Sequence, residues 1–584
     1  MRIPPPIPDI SELQWGAGYH QNCLHYSIAA NDFSKLHNLA STSTPDNIDE
    51  TDGRFGAPLH LAIYLNNLEA VDILLNAGAN PLKEPHFVEE QFITTPIGLA
   101  ARLDNRNILQ KIWQHIHPDA DTFTTEEFHS CLRDAAEYGQ VATISDLLSW
   151  GHNGWTLESK GRALVAAANN WRFENAQFLL SQYSVEQEWL NLALAQVTVT
   201  WVCFLRRDHT ESERVAQSQS IKVLMDAGAD PKSPEASRIA IFEPLIIWTA
   251  LHKQLYGCLE VLLNNGADPN MTNGQGQTAL HYLGAYKRKD PKVKYIFIKE
   301  EPHEDAFRLL LRFNASVIHQ DVYGNTPLHC AAYASPLDTL HLLLSNLPES
   351  QRASALRARN HKGETLLHFA SAGGQVEMAK YLLCVGLYVD ETASRGWTPF
   401  LSALAPGSPN VAGLSKKSEI AQLLLSRGAN PVAATQDGWT PLHCLAMHCG
   451  SYSTDETARL IEMLVSRGNP VNARASFAFD DPSNRPRKRG GGQDIYCSCR
   501  ELQYLADPVT WGKVIRHDIT PLHIAAEFRA IAIARELLKH GADPAAEDSE
   551  GNSPARTAGN SSRRYRSEDW DMMIKLLLDA GGSY

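Results

Sequence analysis

One interval constrains this chain more than anything else in it. A proline that opens one apolar segment is followed, 20 residues later, by a glycine that closes the next. The copy Thr520-Pro521-Leu522-His523-Ile524-Ala525-Ala526 runs on to Glu536-Leu537-Leu538 and then to Gly541-Ala542-Asp543-Pro544. The copy Ala57-Pro58-Leu59-His60-Leu61-Ala62 runs on to Ile73-Leu74-Leu75 and Gly78-Ala79-Asn80-Pro81 with the same step, and Thr365-Leu366-Leu367-His368 reaches Gly386 likewise. A fixed period carried by dissimilar residues marks one structural unit used repeatedly.

The residue types describe that unit. Thr-Pro opens a helix, because the threonine hydroxyl caps the first turn and proline at N1 lacks only an N–H that would have no partner there. Leucine and the paired alanines share one face, and the alanines let a second helix approach. The later Leu-Leu pair is the inner face of that second helix, and the glycine after it suits a left-handed C-cap. Two short helices cannot bury both faces alone, so the copies must stack.

This pattern resembles the ankyrin repeat, a helix–turn–helix followed by a β-turn finger. The expected fold is an all-α repeat: an ankyrin solenoid of about 14 helix–turn–helix repeats with β-turn fingers, interrupted by several loop insertions. The first copy begins near Asn22-Cys23-Leu24-His25, and degenerate copies follow at Thr95, Ser130, Arg162 and Trp189. Later copies start at Pro244, Thr278, Thr326, Thr365, Thr398, Thr440, Thr520 and Ser553. Thr249-Ala250-Leu251-His252 imitates the tetrapeptide, but Gly266 follows Ala250 by only 16 residues, so it belongs inside the first helix of the Pro244 copy.

Stretched spacings mark insertions. The expected organisation is an entry segment over 1–21 and a repeat array over 22–472, with degenerate repeats at about 95–185 and insertions at about 197–217 and 287–303. A mobile, locally basic insertion over 473–516 follows, then C-terminal repeats over 517–584. The 473–516 segment holds eight Lys/Arg against five Asp/Glu, and its Gly, Pro and like charges favour a loop. It lies between two copies and would hinge the last two against the rest.

Chemistry is sparse. No kinase signature, Gly-x-Ser-x-Gly elbow, phosphate loop or His-Glu-x-x-His occurs, so an enzyme is not expected and no cofactor is implied. Seven of the 23 histidines, His25, His60, His281, His329, His368, His443 and His523, sit at the repeat position whose imidazole, in ankyrin repeats, hydrogen-bonds the finger turn. Stacked a repeat apart, they cannot share one metal ion, whose ligands lie within about 2–2.3 Å. Cys497-Ser498-Cys499 lacks a second knuckle, so no metal site is expected.

The net charge of −13 disfavours nucleic acid and anionic membranes as partners. No run of about 18 apolar residues exists, so no membrane span is expected, and the scattered cysteines fit a reducing compartment, the cytoplasm with the nucleus as an alternative. Arg485, Arg487, Lys488 and Arg489 form a candidate nuclear-import patch against the plainer reading of a solvated loop.

The resemblance implies a scaffold or adaptor that binds a partner protein through its concave face and fingers. The alternative is a substrate-recognition subunit of a larger complex such as a ubiquitin ligase, although no F-box, SOCS box or BTB pattern is visible. Ankyrin proteins vary the residue just before each finger threonine to recognise partners. Those residues here are Gln277, Asn325, Glu364, Trp397, Trp439 and Ile519, and the two tryptophans either anchor a partner or pack on the neighbouring finger.

Overall fold

The structure is a computed structural model. It describes residues 24–51, 56–83, 94–116, 126–151, 154–199, 210–233, 244–285, 305–405, 414–447, 454–479, 514–562 and 568–584. The chain divides into two compact units, Met1–Asp268 and Pro269–Tyr584.

Each unit is built from helix pairs. In the first, Leu24–Ala29 pairs with Phe33–Thr42, Pro58–Tyr64 with Leu68–Asn76, Pro96–Arg102 with Arg106–Ile116, and Glu126–Glu137 with Val141–Gly151. Leu157–Asn169 then pairs with Phe173–Gln182, Gln187–Val199 with Glu211–Asp226, and Leu245–Leu251 with Tyr256–Asn264. In the second unit Ala279–Ala285 pairs with Ala306–Arg312, Pro327–Ala334 with Leu337–Ser345, Leu366–Ala372 with Val376–Cys384, and Pro399–Leu404 with Leu414–Ser426. Pro441–Ala446 with Thr454–Ser466, Pro521–Glu527 with Ile531–Lys539, and Pro554–Ser562 with Glu568–Asp579 complete it. The result is an all-α ankyrin solenoid architecture.

First helices pack on first helices and second on second within each unit. The first helices are almost wholly enclosed: every residue of Pro327–Ala334 is buried. The second helices bury one stripe, such as Ala70, Val71, Leu74 and Leu75. Each enclosed leucine stabilises the stack by about 1.5–3 kcal/mol relative to exposure. The second helices end on glycines with φ near +90°, among them Gly78, Gly266, Gly428 and Gly541. A Cβ at Gly78 would touch nothing within 4 Å, so the left-handed backbone and not crowding selects glycine there. Where that glycine is missing, Asn314 adopts φ 63°, as asparagine tolerates best among side-chain-bearing residues.

Thr249 lies inside Leu245–Leu251, its hydroxyl donating to Leu245 O at 2.7 Å, so the imitation tetrapeptide opens no repeat. The proposed insertion 197–217 is shorter than its spacing suggested. Gln187–Val199 runs through its start, and the long helix Glu211–Asp226, opened by a Thr210–Glu213 capping box, uses its end. Gln217 and Ala216 are buried there. The 287–303 insertion lies outside the described residues, as do the entry segment 1–21 and Arg485, Arg487, Lys488 and Arg489. Two short helices, Pro45–Ile48 and Glu349–Leu356, have no counterpart in the repeat pattern. Glu349–Leu356 replaces the usual glycine exit after Leu337–Ser345, started by Pro348 and held by Arg352 donating to Leu347 O at 3.0 Å.

The 473–516 insertion is neither wholly loop nor a hinge. Its two ends pair as antiparallel strands, β1 (Ala475–Phe479) and β2 (Val514–Ile519). The helices on either side of it stack directly, Pro441–Ala446 on Pro521–Glu527 and Thr454–Ser466 on Ile531–Lys539.

Candidate functional site: the finger row

In the second unit the fingers follow one geometry. Five residues before each helix-capping Thr or Ser, a backbone N–H donates to the carbonyl one residue before it, closing a tight turn. Asp321 N reaches Asn325 O at 2.9 Å, Asn360 N reaches Glu364 O at 3.0 Å, and Thr435 N reaches Trp439 O at 2.9 Å. The first tip residue of each finger then donates its N–H to the second tip residue of the finger before. Val322 bonds Gln275, His361 bonds Tyr323, Ser394 bonds Lys362, Gln436 bonds Arg395, Ser476 bonds Asp437, and Ser549 bonds His517, all between 2.7 and 3.0 Å. Successive fingertips are thus tied backbone to backbone, which fixes their spacing.

Six of the seven repeat histidines tie a finger to the helix before it. All seven are buried. In six of them Nδ1 accepts the backbone N–H of the residue at the helix cap, for example Thr440 N at 3.2 Å and Thr278 N at 3.1 Å. Because that donor is unambiguous, Nδ1 carries no proton and Nε2–H is the donor. It donates to the next finger: His25 to Gly56 O at 2.9 Å, His60 to Thr94 O at 3.0 Å, His281 to Asn325 O at 3.0 Å. His368 reaches Trp397 O at 3.3 Å, His443 reaches Ile519 O at 3.0 Å, and His523 reaches Asn552 O at 2.9 Å. Burial is the main influence on their charge state. It lowers His60, His329, His368 and His443 to about 4, so they stay neutral near pH 7.

This geometry corrects the expectation for the six residues preceding the finger cap. Gln277, Asn325, Glu364, Trp397, Trp439 and Ile519 are all buried, so none presents a partner-contact surface. The reason is their place in the turn: the carbonyl at this position closes the finger, and in three of the six, Asn325, Trp397 and Ile519, it also accepts the histidine. Trp439 stacks at 5.6 Å on Phe477 of β1, and its Nε1 donates to Ser476 O at 2.9 Å. Glu364 is held by Asn360 Nδ2 at 2.7 Å, and burial raises its carboxyl above the ordinary range. The exposed positions are three residues earlier, at the first tip: Val322 is 53% exposed, and His361, Ser394, Gln436 and Ser549 are also exposed. The positive φ of Gly324, Gly363, Gly396, Gly438 and Gly551, two residues before each cap, was the available signal. A glycine required there puts the tip before it and the next residue already inside.

Ion pairs run between fingers as well. Arg359 pairs with Glu391, Arg395 with Asp437, and the nearly buried Arg516 with Asp548 at 3.3 Å and Glu550 at 3.1 Å. Each arginine leans on the finger that follows.

The junction between Pro96–Arg102 and Glu126–Glu137 is held without an imidazole. Gly98 stands where the histidine would be, and a Cβ on it would lie 2.6 Å from Asp134 Oδ2 and 3.2 Å from Ser130 Oγ. Asp134 accepts the Thr94 hydroxyl and lies 3.5 Å from Arg102, while Thr95 Oγ1 meets Ser130 Oγ at 2.9 Å. Polar side chains from the following repeat occupy the missing ring's space.

Among the described residues no group of three His, Cys, Asp or Glu is placed to hold a metal ion, and no helix is long and apolar enough to cross a membrane. Cys131, Cys258, Cys330 and Cys444 are buried free thiols.

Comparison with known proteins agrees with this architecture. Family models described as ankyrin repeats match residues 57–84, 246–354, 331–383, 437–476 and 517–549. The chain is 31% identical over 173 residues to neurogenic locus notch homolog protein 1 of Mus musculus, covering 30% of this chain and 6% of that protein. It is 22% identical over 331 residues to an ankyrin repeat protein of Rickettsia felis, covering 53% of this chain and 77% of the relative. It is 31% identical over 129 residues to ankyrin repeat and SOCS box protein 11 of Pongo abelii, covering 22% of this chain and 33% of the relative. The aligned segments therefore span a small fraction of the notch and SOCS box relatives. Fourteen helix pairs among the described residues, the histidine-tied fingers and the family models lead to one assignment: the chain is an ankyrin-repeat protein.

Proposed function

We propose that this protein is a binding scaffold whose partner protein lies along the fingertips of the second unit. Ankyrin repeats in general mediate protein–protein interaction, and nothing in the family models points to catalysis. The observation that carries the reading is the register of exposure. The first tip residue of each finger, Val322, His361, Ser394, Gln436 and Ser549, is exposed, while the backbones beneath are bonded to one another. Such a row is preorganised, so a partner need not order it on binding. Many small contacts at repeat spacing suit an extended protein segment.

The test places a photo-crosslinking residue in the full chain at Val322, at Gln436 or, as control, at exposed Glu377 on the helix Val376–Cys384. Crosslinks to one protein from both fingertips and none from Glu377 are expected. Crosslinks confined to Glu377 would move the binding face to the second helices and defeat the reading.

The run Arg485, Arg487, Lys488 and Arg489, outside the described residues, is proposed as a nuclear-import signal because four cations fall within five residues. Its removal should leave the protein cytoplasmic, and an unaltered distribution would dismiss it. A role in substrate recognition for a ubiquitin ligase has a single support, the likeness to the SOCS box relative over 129 residues.

A further inference from the structure

The fingers share a six-residue frame: a turn-closing residue, two tip residues, a residue at positive φ, the carbonyl acceptor of the histidine, and the helix cap. Thr435-Gln436-Asp437-Gly438-Trp439-Thr440 and Asp548-Ser549-Glu550-Gly551-Asn552-Ser553 fill it without interruption, with Gly438 at φ 85° and Gly551 at φ 72°. The finger between them fills the same frame from two separated stretches. Ala475 pairs with Ile519 as the turn-closing residue does with the acceptor in its neighbours. Ser476 N donates to Asp437 O at 2.8 Å, as the first tip residue does elsewhere. His517 O accepts Ser549 N at 3.0 Å, as the second tip residue does elsewhere. Asp518 sits in the glycine position and takes its conformation, φ 60°. Ile519 O accepts from His443, and Thr520 caps Pro521–Glu527.

Every position of the frame is therefore present in Ala475-Ser476 and His517-Asp518-Ile519-Thr520. The two tip residues face each other across the gap, with Ser476 Oγ 2.8 Å from His517 Nδ1. We infer that residues 477–516 are a graft inserted between the two tip residues of a complete finger, and that the repeat row closes and folds without them. Among the described residues the graft meets the scaffold through Phe477, between Trp439 and Phe528, and through Arg516, against Asp548 and Glu550. Neither lies in the frame. Deleting it removes these two anchors but leaves every backbone and histidine tie of the row.

The test uses the full chain with Ser476 joined directly to His517 and Asp518→Gly supplying the glycine of the other fingers. The expected result is one cooperative transition in the second unit with its midpoint lowered by less than about 5 °C. Amide protection in Pro521–Glu527 and Ile531–Lys539 should be retained. Loss of that protection overturns the inference. A second variant keeps 477–479 and 514–516 and replaces 480–513 with Asn-Gly, a pair suited to a two-residue hairpin. If only this second variant retains protection, the strands are part of the finger and the graft is refuted. If both retain it, the graft stands, and if neither does, it falls.

Discussion

The junction at Gly98 and the junction at His443 solve the same problem with opposite chemistry. Both hold one repeat against the next. At His443 a neutral ring bridges two backbone groups, accepting from Thr440 N and donating to Ile519 O. At Gly98 the ring is gone, and a buried carboxylate, Asp134, gathers the Thr94 hydroxyl and the Arg102 guanidinium from the preceding repeat. A neutral bridge pays no charge-burial penalty, whereas the carboxylate is tolerated only while its partners remain. The regular junctions should therefore lose less when broken and respond to pH with the opposite sign.

The largest effect is expected at the ionic junction. Asp134→Ala leaves the Arg102 side chain, 14% exposed, without its carboxylate and should cost about 3–5 kcal/mol in denaturant unfolding of the first unit. A cost equal to or below that of a histidine deletion would erase the distinction. His443→Ala opens a cavity and strands the Thr440 N–H and the Ile519 carbonyl, for about 2–4 kcal/mol measured in the same way on the second unit.

The pH response separates the two junctions by sign. His368 and His443 fall to about 4 when folded against 6.5 unfolded, so their stability is complete above pH 6.5 and is lost as pH falls toward 4. Each contributes at most about 1.4 kcal/mol per pH unit in that window. Asp134 moves the other way. Burial raises its carboxyl from 3.8 despite Arg102, so its contribution is lost as pH rises from 3.8 through the raised value. Unfolding midpoints between pH 7 and 4.5 should show a shallower dependence for His443→Asn and a steeper one for Asp134→Asn. The smallest effect belongs to the exposed pairs: Lys380→Ala, which removes the partner of Glu377, should cost about 0.2–1 kcal/mol and lose even that in high salt, seen as an unchanged melting midpoint in 1 M salt.

The same contrast explains what could be read from residues alone. The interval marked the regular copies, and the helix-pair pattern around it placed the rest, including the copies at Ser130, Arg162 and Trp189 that lack the tetrapeptide, because that pattern reports helix length and capping and tolerates exchange of core residues. The buried state of Trp397 and Trp439 was not legible. A large aromatic beside a turn reads equally well as an anchor for a partner or a brace for the next finger, and only the turn-closing bond from Ala393 or Thr435 decides. The Asp134 cluster was hidden because its members, Thr94, Arg102 and Ser130, come from separate segments and follow no period. The graft was read as lying between repeats because its ends carry no turn signal, with Asp518 in place of the expected glycine.

The direction of the histidine proton has a further consequence. Five imidazoles, His60, His281, His368, His443 and His523, accept within their own repeat and donate toward the repeat that follows, so those junctions have a sense along the chain. Trimming repeats from the early side of a junction uncovers a finger carbonyl, which water satisfies, along with the helix faces packed there. Trimming from the late side uncovers a ring N–H at the foot of an apolar helix, together with the face that helix had buried. Shortened versions of this chain are thus not equivalent in the two directions, and those that keep the later repeats inherit the better-sealed end.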